Sequence, residues 1–331
     1  MELQKLLDEA PQDYEIQKAI LTTANKINGS NNVLCSISGG ADSDIIIDML
    51  ERIGTGGKVK YVFFNTGLEY MATKEHIKYI EEKYGVKIRE EKAIKSVPHC
   101  VKNYGVPFLS KQVSEFIERL QRYNFKWEDK PFEELYKEYP HCKAALRWWC
   151  NKFDGVGKFN ISRNRYLKEF MIANPPNFKI SNRCCKYAKK DVAKQEKETG
   201  QYDLSITGIR KAEGGARSTA YKSCFSPIDD KHAVAEFRPI FYFKNDTKKA
   251  YEKHYDIIHS ECYTKWNLPR TGCSGCPYAK DFERELQAVK EHEPKLYKAI
   301  INVFGKSYEY TRKYREFQEV MKKEEFKEND D

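Results

Sequence analysis

The chain has 331 residues, ten of them cysteines, and a formal net charge of +9. A chain of this length buries a full core, as one large domain or two smaller ones. No apolar run approaches the ~20 residues that cross a bilayer. The N-terminus MELQKLLDEAPQDYEIQKAI lacks a signal-peptide core, so we expect a cytoplasmic protein with no membrane partner. The positive charge suits a phosphate-rich partner, and ten cysteines in a cytosolic chain favour metal or redox chemistry over a disulfide framework.

Alternating patterns predict the first half of the fold. After a helical lead-in, residues 1–30, the strand-like segments VLCSIS, KYVFFNT and VKIREEK alternate with the helix-like segments SDIIIDMLERI and TKEHIKYIEEKYG. This rhythm predicts an α/β fold with a doubly wound, mainly parallel sheet. Ligands of such sheets bind at the carboxyl ends of the strands, where the SGGADS and NTGLEY turns would both lie.

The second half is predicted to be mostly helical. Residues 104–160 are aromatic and basic, and NRCCKYAKKDVAKQEKETG reads as a helix that ends at Gly200, before the strand LSITG. From residue 244 the pattern is a helix, a cysteine loop, a helix and a charged tail. We therefore expect a central domain over 31–245 and a helical, cysteine-containing C-terminal portion over 246–331.

The most informative segment is SGGADS, residues 38–43, at the first predicted strand-to-helix turn. Gly39 and Gly40 allow the backbone to approach a phosphate, which unpaired N–H groups and the helix dipole would face. Ser38 and Ser43 can add hydroxyl donors. The segment resembles the PP-loop of the ATP pyrophosphatase (adenine nucleotide alpha hydrolase) superfamily, which usually reads SGGxDS. An ordinary glycine turn is the alternative.

Two cysteine pairs have the spacing of metal ligands. Cys184 and Cys185 are adjacent, and Cys273 and Cys276 form a C-x-x-C within RTGCSGCP. Two thiolate pairs can supply four ligands to one tetrahedral metal or one cubane cluster. The arrangement resembles the [4Fe–4S] site of assimilatory adenylyl-sulfate reductases, which belong to the same superfamily. Zinc and buried structural thiols are the alternatives.

A third segment, TGIRKAEGGARS, resembles the GxRxxESxxR segment of phosphoadenosine phosphosulfate (PAPS) reductases. Gly208, Arg210, Glu213 and Arg217 match that pattern, while Gly214 replaces its serine. Two arginines after a strand can form a fork for sulfate or phosphate oxygens. A pair of surface arginines is the alternative.

A fourth segment, FFNTGLEYMAT, resembles the DTGxxxxET turn that helps these reductases to hold the adenosine. Thr66 and Gly67 match, and Asn65 stands where aspartate is usual. The four segments follow one another in the family's order between residues 33 and 277. GVPFLSKQVSEFIERLQ and RTGCSGCPY further resemble a subgroup often carried by phages and mobile elements.

One departure from the family concerns the nucleophile. Its thiol-dependent reductases carry a cysteine near the C-terminus, in an ECGLH-like motif that attacks sulfur, whereas residues 277–331 contain none. Cys224, in YKSCFS, is the candidate replacement or an alternative cluster ligand. For each cysteine outside the two pairs, the alternative is a small buried hydrophobic side chain.

The resemblance implies three candidate functions. The first is ATP-dependent adenylation followed by sulfur transfer to a nucleotide, nucleic acid or small molecule, with Mg²⁺ oriented by Asp42 and with Arg210 and Arg217 stabilising charge. The second is reduction of adenylyl sulfate or PAPS to sulfite, with a thioredoxin-like reductant. The third is non-catalytic nucleic-acid binding or complex formation. Each of the first two requires an adenine nucleotide, and the first also requires a sulfur donor.

Overall fold

The computed structural model describes residues 2–155, 159–214, 219–229 and 233–328. Arg217, one of the predicted anion-binding residues, lies outside these ranges. The chain forms two compact units. We call the first, Met1–Ile94 with Tyr187–Ser274 and Glu291–Glu293, the sheet unit. The second, Lys95–Lys186 with Gly275–Lys290 and Pro294–Asp331, is the helical unit.

A six-stranded sheet forms the centre of the sheet unit, in the order β3-β2-β1-β4-β6-β5. Every neighbouring pair is parallel except β5 with β6, which is antiparallel. This sheet confirms the predicted α/β class with a mainly parallel, doubly wound sheet. The strands are β1 Val33–Ile37, β2 Val59–Asn65, β3 Ile88–Lys92, β4 Leu204–Thr207, β5 Phe225–Ser226 and β6 Ala235–Phe237.

Helices cover the sheet and share its core. The helix that Asp13 caps, by accepting from the amides of Glu15 and Ile16, buries Ile16 and Ile20 in the same hydrophobic core as β1. Because its apolar stripe is buried there, this part of the lead-in is one layer of the sheet unit. The helices of the unit are Glu2–Glu9, Tyr14–Asn28, Ala41–Ile53, Met71–Tyr84, Asp191–Thr199, Asn245–His254 and Glu261–Thr264.

Aromatic side chains form the core of the helical unit. Trp148 and Trp149 are fully buried. Phe116 stacks on Trp148 with ring centroids 5.3 Å apart, and Phe170 packs on Tyr310 at 5.0 Å. The helices are Val97–Tyr104, Lys111–Arg122, Phe132–Glu138, Lys143–Trp149, Leu167–Ala173, Arg183–Cys185, Phe282–His292 (whose last two residues fall in the sheet unit) and Pro294–Glu328. No helix among the described residues is long and apolar enough to cross a membrane.

The helix predicted over NRCCKYAKKDVAKQEKETG is interrupted. Arg183–Cys185 and Asp191–Thr199 are α-helical, and the five residues Lys186–Lys190 between them form a π-helical turn. A π turn inserts extra backbone into the helix and shifts the side-chain register on either side. The adjacent cysteines and the helix that ends at Gly200 therefore do not share one continuous α-helical face.

Candidate anion site at the carboxyl ends of β1 and β4

The SGGADS turn joins β1 to the helix Ala41–Ile53 and requires both of its glycines. Gly39 has φ +65°, and a Cβ there would lie 2.7 Å from Thr73 Cγ2. A Cβ on Gly40 would lie 3.2 Å from Ser38 Oγ and from Tyr263 Oη. Ser43 Oγ accepts from the Gly40 amide at 3.1 Å and donates to the Gly40 carbonyl at 2.7 Å. The turn is thus fixed by its own serine, with the helix N-terminus behind it.

One side chain that no sequence motif indicated, that of Tyr263, lies against this turn. Tyr263 Oη accepts from the amide of Ala41 at 3.3 Å and from the amide of Thr271 at 3.1 Å. Burial raises the pKa of Tyr263, so its hydroxyl stays neutral at physiological pH. A neutral oxygen therefore faces the first amide of the helix, where a phosphate oxygen would also be stabilised.

Asp42 brings two cations together. Arg210 Nε donates to Asp42 Oδ1 at 3.0 Å, and Lys248 Nζ donates to the same oxygen at 2.7 Å. Burial alone would raise the pKa of Asp42, but Lys248 and then Arg210 outweigh it, and a hydrogen bond involving Glu213 adds to the lowering. The pKa of Asp42 is therefore below its usual value, and the carboxylate is ionised at neutral pH.

The contact between Asp42 and Arg210 follows from the strand order. β1 and β4 are adjacent and parallel, so the residues that follow their carboxyl ends meet at one edge of the sheet. Gly208 makes this approach possible, because a Cβ there would lie 3.1 Å from the Asp42 carbonyl group. Arg210 Nη1 also donates to Asn245 Oδ1 at 3.1 Å. The structure thus brings together predicted residues of the first and third segments.

Charged side chains behind Asp42 and Lys248 form a further set of ion pairs. His259 donates from Nδ1 to Asp44 at 2.7 Å and from Nε2 to Glu252 at 2.9 Å. Burial would lower the pKa of His259, but these two hydrogen bonds raise it to about 9. Glu252 lies 3.5 Å from Lys248, and Asp44 also pairs with His76 at 3.0 Å. No motif indicated these residues, since they come from distant segments and have no characteristic spacing.

The NTGLEY turn follows β2 and is closed by its own side chains. Asn65 Oδ1 accepts from the Gly67 amide at 2.7 Å. Thr66 donates to Glu69 Oε1 through its amide at 3.0 Å and its hydroxyl at 2.5 Å. Cys273 Sγ lies 3.4 Å from Thr66 Oγ1, so the first cysteine of the C-x-x-C pair lies beside this turn. Asn65, which replaces the expected aspartate, therefore stabilises the turn itself.

The other three predicted cluster ligands, Cys184, Cys185 and Cys276, belong to the helical unit. Burial, then Cys184, with smaller effects of Cys185 and Cys276, raises the pKa of the Tyr278 hydroxyl well above its usual value. Thiolates are suitable donors for an iron–sulfur cluster or zinc. Among the described residues, however, no group of three or more His, Cys, Asp or Glu side chains has metal-binding geometry. The donor chemistry of the four thiols fits a cluster.

Mg²⁺ does not fit at Asp42 in this arrangement. Both cations lie on one carboxylate oxygen, and a divalent ion at that oxygen would meet their repulsion. Mg²⁺ also requires near-octahedral oxygen ligands, whereas two nitrogen donors occupy Oδ1 of this carboxylate. Asp42 acts here as an acceptor for Arg210 and Lys248.

Cys224 lies at the far edge of the sheet. Its carbonyl accepts from the Arg238 amide at 2.8 Å, next to the pairing of Phe225 with Phe237. From β1 to β5 there are three strand spacings, about 14 Å in all. Among the described residues, nothing brings Cys224 to Asp42 or Arg210.

These features define an α/β protein with a candidate anion site at the carboxyl edge of its sheet. Residues 32–147 match the family model of the phosphoadenosine phosphosulfate reductase domain. This match agrees with the predicted resemblance over the SGGADS and NTGLEY turns.

One relative is an uncharacterized protein of Methanocaldococcus jannaschii, 29% identical over 143 residues. The alignment covers 43% of this chain and only 28% of that protein. The chain therefore spans less than a third of the length of this relative.

Three solved structures are similar at low identity. A phosphoadenylyl-sulfate reductase from Candida auris, in a phosphate complex, is 11% identical with a TM-score of 0.38, covering 70% of this chain and 77% of its own. A U34-tRNA thiolase from Methanococcus maripaludis, with its [4Fe–4S] cluster, is 14% identical with a TM-score of 0.35, and the match covers 92% of this chain and 80% of the thiolase. An NH3-dependent NAD synthetase from Campylobacter jejuni, in complex with nitrate, is 12% identical with a TM-score of 0.37, and the match covers 94% of this chain and 96% of the synthetase. The fold assignment rests on the sheet order of this chain itself.

Proposed function

We propose that the chain is a PP-loop enzyme of the PAPS reductase family that binds an adenine nucleotide and transfers sulfur to an activated acceptor. One observation carries the proposal: the SGGADS turn and Arg210 converge at Asp42, with Arg210 Nε 3.0 Å from its carboxylate. A glycine turn at a helix N-terminus with an arginine beside it is suited to a phosphate group. The match of residues 32–147 to the reductase domain family supports the same assignment.

The proposed reaction has two steps. An oxygen bonded to carbon in the acceptor attacks the α-phosphorus of ATP, the bond to the bridging oxygen breaks, and pyrophosphate leaves with that electron pair. Hydrosulfide then attacks the carbon that carries the adenylated oxygen, the carbon–oxygen bond breaks, AMP leaves with that oxygen and electron pair, and the proton of the sulfur passes to solvent. The turn amides and Arg210 would stabilise the negative charge that develops on the phosphate.

The cysteine pairs complete the proposal. Cys184, Cys185, Cys273 and Cys276 are the proposed ligands of a [4Fe–4S] cluster, with zinc as the alternative occupant of the same thiolates. The three of them that lie in the helical unit each contribute to raising the pKa of the Tyr278 hydroxyl. When bound, the cluster would supply a soft metal centre for holding a sulfur atom or for tuning the charge of the site.

Reduction of adenylyl sulfate or PAPS is the second candidate, and the name of the matched family favours it. It needs a reactive thiolate close to the bound sulfur. Burial raises the pKa of Cys262 to about 11, and burial also raises that of Cys35. Cys224, the predicted replacement, lies at the opposite edge strand. Apart from Cys273, which is a proposed cluster ligand, the described thiols of the sheet unit therefore favour sulfur transfer over reduction.

Product analysis separates these candidates. Protein purified without oxygen, with its iron and sulfide content measured, is incubated separately with Mg-ATP plus RNA or DNA, with adenylyl sulfate and with PAPS. Sulfide is supplied in the first case, and reduced thioredoxin in the other two. We expect pyrophosphate and AMP from ATP, whereas sulfite from a sulfonucleotide would establish the reductase.

The variant Arg210→Gln should abolish formation of whichever product the wild-type protein makes. Lys211→Gln, which changes an exposed neighbour, should retain product formation. Nucleic-acid binding with no nucleotide turnover would favour the third, non-catalytic candidate.

A further inference from the structure

Lys248 occupies a position that the proposed function leaves unexplained. Its ammonium is 2.7 Å from Asp42 and 3.5 Å from Glu252, on a side chain that is 17% exposed. Lys249 and Lys253, on the same helix Asn245–His254, are exposed to solvent. Lys248 is therefore directed by its partners into the site, where Arg210 contacts the same carboxylate oxygen.

The Lys248 ammonium has one more N–H donor than the two carboxylates beside it use, so it could also donate to an anion. A lysine ammonium has three N–H donors, and Asp42 and Glu252 account for two of them. Both Lys248 and Arg210 are held beside the first turn of the helix Ala41–Ile53, which carries Asp42. Two cations at the positive end of a helix repel each other and the helix dipole. Asp42 and Glu252 offset part of this repulsion, and a bound anion would lower it further.

We propose that Lys248 is a second anion-binding residue of this site, and that Asp42 and Glu252 are the positioning residues that hold it beside Arg210. The ligand group would be the phosphate or sulfate of the nucleotide, so the proposal rests on the proposed function. His259 extends the arrangement, since it holds Glu252 at 2.9 Å from the other side. Lys248 is then a direct contact to substrate, and the acidic residues act through it.

Equilibrium binding tests this role without any turnover. Isothermal titration of anaerobic wild-type protein with ATP, adenylyl sulfate, pyrophosphate and adenosine, all in EDTA, gives the reference. We expect Lys248→Met to weaken ATP, adenylyl sulfate and pyrophosphate about 10- to 100-fold, the loss of one charge-assisted hydrogen bond. Adenosine, which carries no anionic group, should bind the variant as it binds wild type. Lys249→Met removes the same charge from an exposed neighbour and should change each affinity less than about twofold.

Two further variants guard against a purely structural effect. Lys248→Gln keeps a donor to Asp42 without the charge and should show the same selective loss, whereas Lys248→Arg should recover part of the binding. Unchanged pyrophosphate affinity in Lys248→Met and Lys248→Gln would overturn the proposal, as would an equal loss for adenosine. If wild-type protein binds none of the anionic ligands, the proposed function itself fails, and this role for Lys248 fails with it.

Discussion

Single residues decide the shape of the candidate site. Gly39 shows this most directly, because two separate constraints act on it: a left-handed backbone and a neighbouring methyl group 2.7 Å from the place of a Cβ. Gly85 has nearly the same φ, +64°, yet nothing lies within 4 Å of its would-be Cβ. Alanine substitutions at Gly39 and Gly85 therefore separate the free-energy cost of the left-handed backbone from the cost of the steric clash with Thr73.

We expect Gly39→Ala to lower the free energy of unfolding by about 3 kcal/mol, and Gly85→Ala by about 1 kcal/mol. Both variants pay the backbone term, and only the first displaces Thr73 at the base of the turn. Urea denaturation of the two variants and wild type measures the difference. Equal losses would show that the packing against Thr73 contributes nothing.

His259 makes stability depend on pH. Its pKa rises from 6.5 to about 9 on folding, because the hydrogen bonds to Asp44 and Glu252 outweigh burial. Its stabilising contribution is fully present below pH 6.5 and is lost as the pH rises through about 9. The groups that face it are these two carboxylates, with His76 beyond Asp44 and Lys248 beyond Glu252.

Unfolding curves between pH 6.5 and about pH 10 should show this loss as about 3 kcal/mol in wild type. His259→Gln should flatten that part of the profile. His254→Gln, at an exposed position of the preceding helix, should leave it unchanged. A His259→Gln profile parallel to wild type would mean that other groups set the dependence.

At the scale of elements, the alternation of strands and helices was enough to predict the sheet, because period-two and helical patterns reflect burial on one or two faces. It also placed the SGGADS and NTGLEY turns at the carboxyl ends of strands, and they follow β1 and β2; the contact of Arg210 with Asp42 was not predicted. It could not find Lys248, His259 or Tyr263. These residues come from more than 160 positions beyond the SGGADS turn, and only the folded backbone brings them to it.

The helix Tyr14–Asn28 is expected to be essential to the sheet unit. Ile20 is 1% exposed in the shared core, while its neighbour Leu21 is 44% exposed. Ile20→Ala should cost about 3 kcal/mol of unfolding free energy, from lost apolar burial and the cavity left behind. Leu21→Ala should cost less than about 0.5 kcal/mol. Similar costs for both, measured by chemical denaturation, would contradict the packing of this helix.

Across the whole molecule, charge is distributed unevenly between the two units. The helical unit contains 30 Lys and Arg residues against 20 Asp and Glu residues, a net charge of +10, whereas the sheet unit has a net charge of −1. Such asymmetry is typical of proteins that contact nucleic acid through one part of the chain. It favours a nucleic acid as the sulfur acceptor in the proposed function.

Duplex RNA or DNA should therefore bind to the helical unit with strong salt dependence. Replacing the exposed Lys143, Lys152 and Arg163 together by glutamate should weaken binding at least tenfold and reduce the salt slope. The same charge change at Lys60, Lys83 and Lys194, exposed in the sheet unit, is the control. Equal effects of the two triple variants in a filter-binding assay would rule out a dedicated surface.

The hydroxyl of Tyr263 has a consequence for selectivity. It already satisfies the first amide of the helix Ala41–Ile53, so an incoming group must compete with an uncharged phenol for that donor. A neutral oxygen would gain almost nothing from the exchange, since one neutral acceptor would replace another. An anionic oxygen gains the difference between a charged and a neutral hydrogen bond. We therefore expect an anionic group to displace the Tyr263 hydroxyl from this amide more readily than a neutral group would.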